Sequence, residues 1–191
     1  MLDSEQDTLP LLERRRAHLV QVATTLLVAE PSSSIAAIAH AAGVSRTTVH
    51  AHFAKRDDLL RAVAYEALGS CETAVARAER SPVGSSDRLR LLVDELITVG
   101  PQLSFLWRNP SFDHDPELGA RWQQVEHRLS GVVADAEKRG AFRANHPTWW
   151  NLMALLGVVY VAAENVYLGR VARLDATDYV LTTLGLEGDE S

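Results

Sequence analysis

Apolar residues recur along this chain at the three- and four-residue spacing of helices, and no stretch shows the sustained alternation of a half-buried strand. The first apolar stripe contains Leu19, Ala23 and Leu27 and predicts a helix over residues 9–29. Pro31 ends that helix, because proline disfavours helical geometry in the residue before it. The pattern as a whole predicts an all-α protein of about nine helices.

Start and stop signals divide the rest of the chain into further helices. Ser34 and Ser45 are natural N-caps for two short helices over residues 35–42 and 45–52. Gly43 separates these two helices as a left-handed residue after the first of them. The later helices are predicted at residues 57–79, 87–107, 116–139, 147–169 and 175–185.

The segment from Ser34 to Leu60 has the layout of a helix-turn-helix, in which two short helices pack across a tight turn. The small Ala39 allows the two helices to cross closely. An ordinary helical hairpin with polar surface residues is the alternative for this spacing. The residues expected to face the shared core are Ile35, Ile38, Ala39, Ala42, Val44, Val49 and Phe53.

The outer face of the second helix carries side chains that can hydrogen-bond to DNA. Arginine pairs with guanine in two places, and threonine offers a hydroxyl and a methyl group, so Arg46, Thr47 and Thr48 are predicted to read bases. Amides at the helix start and nearby polar side chains can hold phosphates. The predicted DNA-binding set is completed by Ser34, Ser45, His50, Lys55 and Arg56.

The charge distribution supports this interpretation although the net charge of −6 does not. Between Arg14 and Arg56 six lysine and arginine residues accompany a single acid, Glu30, so the chain has a basic head and an acidic body. We expect a DNA-binding domain at residues 8–56 and a second domain at residues 57–191.

The residues of this head resemble the N-terminal domain of the TetR family of transcriptional regulators. The resemblance is strongest over residues 14–65. The positions that carry it are Ser34, Ile38-Ala39, Ala42-Gly43-Val44-Ser45, His50, Phe53, Arg56, Asp57 and Leu59-Leu60. Three positions depart from the family pattern: His50 replaces a phosphate-binding tyrosine, Ala54 a proline, and Ala51 an aromatic residue or histidine. The resemblance implies a three-helix DNA-binding domain followed by a helical bundle that binds ligand and dimerises.

Residues 148–168 are apolar on nearly every side, which is typical of a helix that is buried all round. In a body of this size one side can face its own domain and the other a second subunit. A central core helix of a monomer is the alternative. The residues predicted to form the dimer interface are Leu152, Leu156, Val159, Tyr160, Ala163, Tyr179 and Leu181.

Aromatic residues in the middle of the chain suggest a small-molecule pocket, since such pockets are mostly apolar with a few polar anchors. Aromatic residues at helical spacing more often belong to the hydrophobic core, and that alternative stays open. The residues predicted to line the pocket are Tyr65, Phe105, Trp107, Trp122, Glu126, Trp149 and Asn151.

Other kinds of chemistry lack a sequence signal. Asp113-His114-Asp115 is not accompanied by a second cluster of histidine or cysteine, so we expect no metal and no cofactor. A glycine-rich phosphate loop and a nucleophile elbow are also missing, which argues against an enzyme on a helical bundle.

The acidic N-terminus does not resemble a signal peptide, and the single cysteine suits a reducing cytosol. The longest apolar run is too short to span a membrane.

Taken together, these observations predict a cytoplasmic, homodimeric transcriptional regulator. It would act as a repressor that binds a near-palindromic double-stranded DNA operator and is released by a small, largely apolar effector. A DNA-binding architectural or cell-division factor on the same scaffold, without a small ligand, is the alternative. A pocket filled by the protein's own side chains would favour that alternative.

Overall fold

The computed structural model describes residues 10–82, 84–109, 112, 115–142 and 146–186. The ends of the two predicted domains (residues 8, 9 and 187–191) lie outside the described residues, as do Asp113 and His114. The described part of the chain contains nine α-helices and no strand, which confirms the predicted fold class. The helices are α1 (Leu11–Ala29), α2 (Ile35–Ala41), α3 (Arg46–His52), α4 (Arg56–Arg80), α5 (Ser85–Thr98), α6 (Gly100–Trp107), α7 (Pro116–Lys138), α8 (Thr148–Tyr167) and α9 (Arg173–Thr183).

The single helix predicted over residues 87–107 is two helices, α5 and α6, that meet at Val99. A continuous helix would drive the ring of Pro101 against the carbonyl of Ile97 and would leave that carbonyl without its donor. Pro101 instead lies in the first turn of α6, where its backbone nitrogen needs no partner. Pro101 thus starts a new helix. The apolar periodicity alone did not show this break, because it runs through both helices.

The chain divides into two compact units between Ala67 and Leu68. The predicted domain boundary at residues 56–57 lies at the start of α4, whereas the division lies within that helix. The helix α4 therefore contributes its first half to one unit and its second half to the other.

The first unit buries one contiguous set of apolar side chains. Gly43 has a φ of +66°, the left-handed geometry expected after α2, and this lets the chain turn into α3. Of the residues predicted for this core, four are buried, and Ile35, Ala42 and Val44 are half-buried. The largest buried side chains of the unit are Leu19, Leu27, Ile38, Val49, Phe53, Leu59 and Val63.

The second unit is a helical bundle in which α8 packs against α5, α6, α7 and α9. One face of α8 is buried, with Leu155 and Val159 fully inside, and the opposite face is exposed. Two arginine–glutamate pairs join α4 to α7. Arg121 donates to both carboxylate oxygens of Glu72 at 2.9 and 2.6 Å, and Arg128 binds Glu79 in the same way.

A carboxylate on α5 anchors α9. Asp94 accepts hydrogen bonds from Arg173 at 2.7 Å and from the Thr177 hydroxyl at 3.0 Å. The hydrogen bond from Arg173 is the main reason that the pKa of Asp94 is lowered from its ordinary value. A carboxyl whose pKa is lower in the folded protein adds stability above its unfolded pKa. That stability is lost as the pH falls through the folded pKa.

We expect Asp94→Asn to lower the free energy of unfolding at neutral pH by about 1 kcal/mol, because the site is partly exposed to solvent. The difference from the wild type should shrink as the pH falls from about 4 through the lowered folded pKa of Asp94, below which the wild-type carboxyl is also neutral. Urea unfolding followed by circular dichroism across this range measures both effects. A difference that stays constant down to pH 2 would remove the charge of Asp94 from the explanation.

Within the described residues, no helix has the length and apolar character needed to cross a membrane.

Candidate functional site

The short helix α3 is fixed at its start by a serine cap and along its inner face by buried apolar side chains. The Ser45 hydroxyl accepts a hydrogen bond from the Thr48 amide at 3.0 Å and lies 2.9 Å from the Thr48 hydroxyl. Val49 and Phe53 are buried on the inner side. The helix therefore presents a defined outer face, on which Arg46, Thr47, His50 and Ala51 are exposed.

The three predicted base-reading residues differ in their surroundings. Arg46 and Thr47 are exposed, whereas Thr48 is half-buried and takes part in the Ser45 cap. The cap occupies the Thr48 hydroxyl. Arg46 and Thr47 thus have the greater freedom to approach a base.

Besides Ser45, the predicted phosphate-binding residues Ser34 and Lys55 also lie at capped helix starts. The Ser34 hydroxyl accepts from the Ala37 amide at 3.2 Å and so caps α2. Asp58 accepts from the Lys55 amide at 2.9 Å and so caps the start of α4, while the Lys55 side chain is exposed. The charge of Lys55 is therefore presented to solvent beside α3.

Arg56 has a different environment from the one that the sequence suggested. Its guanidinium donates to the carbonyl of Ser33 at 2.5 Å and to the carbonyl of Pro31 at 3.2 Å. These two carbonyls belong to the loop between α1 and α2, so Arg56 ties that loop to the start of α4. A guanidinium has five N–H donors in a fixed fork, and two carbonyls take up part of it. Arg56 is thus a clamp inside the first unit.

The clamp changes what a substitution at Arg56 should do. We expect Arg56→Ala to destabilise the first unit by about 1–2 kcal/mol, since it leaves two loop carbonyls without their charged donor. DNA affinity should fall through this loosening, with little change in its dependence on salt concentration. Binding measured at several salt concentrations distinguishes the two roles. A salt slope that falls by about 1 would instead assign Arg56 to a phosphate.

Two residues of α1 that were not among the predicted DNA-binding residues lie beside the start of α3. Arg15 and His18 line a groove together with Ser45 and Thr48 at the start of α3. The spacing of these two residues by three along a helix was the available signal, since it puts both on one face. The neighbouring Arg16 points elsewhere, with its guanidinium 5.0 Å from the centre of the Phe53 ring. Of two adjacent arginines, one therefore supports the core and the other faces the start of α3.

The second unit contains a cavity of about 250 Å³ with an apolar wall. Its wall includes the indole rings of Trp107 on α6 and Trp122 on α7. The other residues around it are Leu68, Leu103, Leu106, Phe112, Leu118 and Gly119. A lining of aromatic residues and leucines is typical of a small-molecule pocket.

Two of the seven predicted pocket residues, Trp107 and Trp122, line this cavity. Phe105 is buried beside it, with its ring 5.8 Å from that of Phe112. Glu126 is half-buried and is not part of the wall. Tyr65 belongs to the first unit, where the Arg61 guanidinium lies over its ring.

The remaining two predicted pocket residues serve other contacts. Trp149 is 62% exposed and packs edge-on against Trp150, with ring centres 5.6 Å apart. Asn151 is buried, and its side-chain amide donates to Glu137 at 2.7 Å. Thr148 donates to the other oxygen of the same carboxylate at 2.6 Å, so Glu137 joins α7 to the start of α8.

The residues predicted for a dimer interface lie on both sides of α8 and α9. Five of them are buried inside their own chain: Leu152, Leu156, Val159, Ala163 and Leu181. Tyr160 is half-buried and Tyr179 is 58% exposed. Large apolar side chains that the chain leaves exposed on these two helices and the turn between them are Trp149, Trp150, Met153, Val161, Tyr167, Leu168, Leu174 and Tyr179. We call these residues the exposed apolar face.

Among the described residues, no group of three or more histidine, cysteine or acidic side chains is arranged to hold a metal ion.

Comparison with known proteins gives consistent results for sequence and fold. Residues 22–63 match the family model of bacterial regulatory proteins, tetR family. The chain is 30% identical over 175 residues to the HTH-type transcriptional repressor LfrR of Mycolicibacterium smegmatis, covering 90% of this chain and 89% of that protein. It is 25% identical over 156 residues to the HTH-type transcriptional regulator NfxB of Pseudomonas aeruginosa, covering 81% of this chain and 83% of that protein.

A solved structure extends the likeness to the fold. The TetR-like regulator LfrR from Mycobacterium smegmatis, crystallised in complex with proflavine, superposes with a TM-score of 0.76 at 28% sequence identity. The superposition covers 92% of this chain and 98% of the LfrR chain. The similarity therefore includes both the helix-turn-helix and the helical bundle.

Proposed function

This chain belongs to the TetR family of transcriptional regulators, and we propose that it is a repressor that binds a near-palindromic operator as a homodimer and leaves it when a flat aromatic effector binds. The observation that carries the proposal is the capped helix α3, with Val49 buried beneath it and Arg46 and Thr47 exposed on its outer face. A short polar helix held at a fixed angle is what direct reading of a major groove requires.

In the proposed DNA complex, Arg46 and Thr47 contact base edges, and a second set of residues holds phosphates. We propose that this set comprises Ser34, Ser45, His50 and Lys55, together with Arg15 and His18 in the groove beside Ser45. One short helix contacts too few bases for tight binding. Two copies related by a two-fold axis would read two half-sites about one helical turn apart, or a multiple of that distance.

The exposed apolar face supports the proposed dimer. Met153, Gly157 and Val161 follow one another at four-residue spacing on the exposed side of α8. Apolar side chains grouped in this way mark an interaction surface. Gly157 has open space where a side chain would stand, which would let a second helix approach closely. In a two-fold dimer the same face of the partner would cover it.

We expect Val161→Asp to convert the dimer to a monomer, because an unpaired carboxylate would be buried at the centre of this face. Analytical ultracentrifugation should show the monomer mass at concentrations where the wild type is dimeric. Gln124→Asp, on the exposed side of α7, is the matched control and should stay dimeric. If Val161→Asp sediments like the wild type, the subunits associate through another surface.

The cavity supports the proposed class of effector. Its wall offers two indole rings and a phenyl ring, which favour stacking on a planar ring system. The related LfrR has been crystallised with proflavine, and we therefore propose proflavine as a first probe for this chain. An effector releases DNA only if it binds the non-binding conformation more tightly. The helix α4, which contributes Leu68 to the cavity wall and continues into the first unit, would transmit the change.

The test begins with selection of bound DNA from a random pool, followed by titration of the selected complex with proflavine. We expect an inverted repeat to be selected and proflavine to weaken its binding at least tenfold. Trp122→Ala should lose the response to proflavine and keep the affinity for DNA. Selection without sequence preference would contradict the proposed function. Tight specific binding that neither proflavine nor other planar aromatic compounds weaken would favour an architectural DNA-binding protein.

A further inference from the structure

The helix α6 contributes to the cavity wall and also packs on α8, the helix that carries much of the exposed apolar face. Leu103, Leu106 and Trp107 of this eight-residue helix form part of the cavity wall. The same helix packs along α8, whose opposite side carries the exposed apolar face. A molecule in the cavity would therefore press on α6 directly.

The first residue of α6 is fixed against α8. A Cβ added to Gly100 would lie 2.1 Å from the Cβ of Ala163, so the methyl group of Ala163 lies directly against Gly100. Gly100 and Ala163 are both buried. Close packing of this kind leaves no room for that end to shift.

The last residues of the same helix are held by weaker contacts. The Trp107 ring lies 5.2 Å from the ring of Tyr160 on α8, at an angle of 52°. The Arg108 guanidinium donates to the Tyr160 hydroxyl at 3.3 Å and to the Glu164 carboxylate at 3.1 Å. These side chains are partly exposed, and partly exposed ion pairs contribute little to stability. This end can move at low cost.

Tyr160 and Glu164 stand at the edge of the exposed apolar face. They follow Met153 and Gly157 at the three- and four-residue spacing that puts side chains on one side of a helix. Trp107 is thus a residue shared by two sites, because it lines the cavity and its ring also packs on Tyr160.

We propose that α6 turns about Gly100 when the cavity is filled, and that Trp107 transmits this movement through Tyr160 to the dimer interface, so that effector binding changes the strength of dimerisation. Gly100 and Trp107 are about 10 Å apart along the helix, and a tilt of about 10° would shift the indole by about 2 Å. The inference rests on the proposed dimer and effector site. Because linkage is reciprocal, dimerisation changes the affinity for effector by the same factor.

The experiment measures the dimer dissociation constant of the full chain by ultracentrifugation over a dilution series, with and without proflavine. A second arm fills the cavity without any ligand through Gly119→Phe, since Gly119 lines the cavity and has open space at its Cβ position. Gly131→Phe is the matched control, because it is the same substitution on the same helix, α7, at an exposed site outside the cavity.

We expect proflavine or Gly119→Phe to change the dimer dissociation constant at least fivefold, while Gly131→Phe changes it less than twofold. Tyr160→Leu removes the ring contact to Trp107. In that background the dimer dissociation constants with the cavity filled and with it empty should differ less than twofold. Leu174→Ser serves as a comparison, because it weakens the exposed apolar face far from Trp107 along the sequence and should leave that ratio at its wild-type value.

Three outcomes would overturn the inference and can be told apart. If proflavine releases DNA and the dimer dissociation constant is unchanged in both arms, the signal travels by another route and the proposed function stands. If neither proflavine nor the filled cavity alters dimerisation or DNA binding, the inference fails together with the proposed effector site. If filling the cavity still changes the dimer dissociation constant at least fivefold in Tyr160→Leu, the Trp107–Tyr160 contact does not transmit the signal.

Discussion

Adding one methyl group at Gly100 is expected to lower the free energy of unfolding by about 2–3 kcal/mol and the melting temperature by about 5–10 °C. In Gly100→Ala the new Cβ would stand 2.1 Å from the Cβ of Ala163, far inside the contact distance of two carbon atoms. Both residues are buried, so neither helix can yield without disturbing the packing around it. Thermal and urea unfolding followed by circular dichroism measure the loss.

A compensating substitution tests the cause of this loss. Ala163→Gly removes the methyl group on α8 and by itself should cost about 1 kcal/mol, as glycine does inside a helix. Combined with Gly100→Ala it should recover at least half of the lost stability, which gives a coupling energy of about 2 kcal/mol or more in a double-mutant cycle. Gly131→Ala is the control, because open space surrounds its Cβ position and the helix should gain slightly.

An additive cycle would contradict this account. The two methyl groups would then not compete for the same space, and the loss in Gly100→Ala would have to come from the backbone of α6. A Gly100→Ala variant as stable as the wild type would show that α6 and α8 separate easily, which would also remove the fixed end on which the proposed movement of α6 depends.

Arg46→Ala is expected to weaken binding to the selected operator by about 1–3 kcal/mol, which corresponds to about 5- to 150-fold in the dissociation constant. The side chain is exposed on the outer face of α3, and a guanidinium that binds guanine in two places discriminates between bases. The loss should be concentrated at one base pair of each half-site. A fluorescence anisotropy titration against operators with single substitutions measures this pattern.

Arg15→Ala is the comparison for Arg46→Ala, since Arg15 lies in the groove beside Ser45 and not on the outer face of α3. It should weaken binding to all sequences alike and lower the salt slope by about 1. If Arg46→Ala instead behaves as Arg15→Ala is expected to, Arg46 binds a phosphate and α3 lies differently in the groove. An unchanged affinity for Arg46→Ala would exclude the residue from the interface.

The first unit could be predicted in detail because its information is local. Caps, the glycine turn and apolar spacing all act within a few residues of one another, and the Ser34 and Ser45 caps and the left-handed Gly43 are found as predicted. Arg56 is the exception. Its partners, the carbonyls of Pro31 and Ser33, are more than 20 residues away in the chain, and no local pattern indicates that a basic side chain will turn toward them.

The second unit was harder to predict, because its site depends on contacts between distant helices. The sequence predicted a pocket lined by aromatic residues. Trp107 and Trp122 do line the cavity, whereas Trp149 lies on the surface. A tryptophan has the same apolar surface in either place. Only the packing of α6 and α7 decides which rings meet around empty space.

The apolar helix near the C-terminus illustrates the same division. Spacing and neighbouring residues were enough to predict that α8 is helical and apolar nearly all round. They were also enough to predict an all-α fold with a helix-turn-helix near the N-terminus. The tertiary structure decided which face of α8 its own chain covers and which face, with Met153 and Val161, is left exposed. It also brought Gly100 against Ala163, which lies more than 60 residues further along the chain. Burial and close approach depend on both surfaces that meet, whereas the pattern of residues along one helix describes only one of those surfaces.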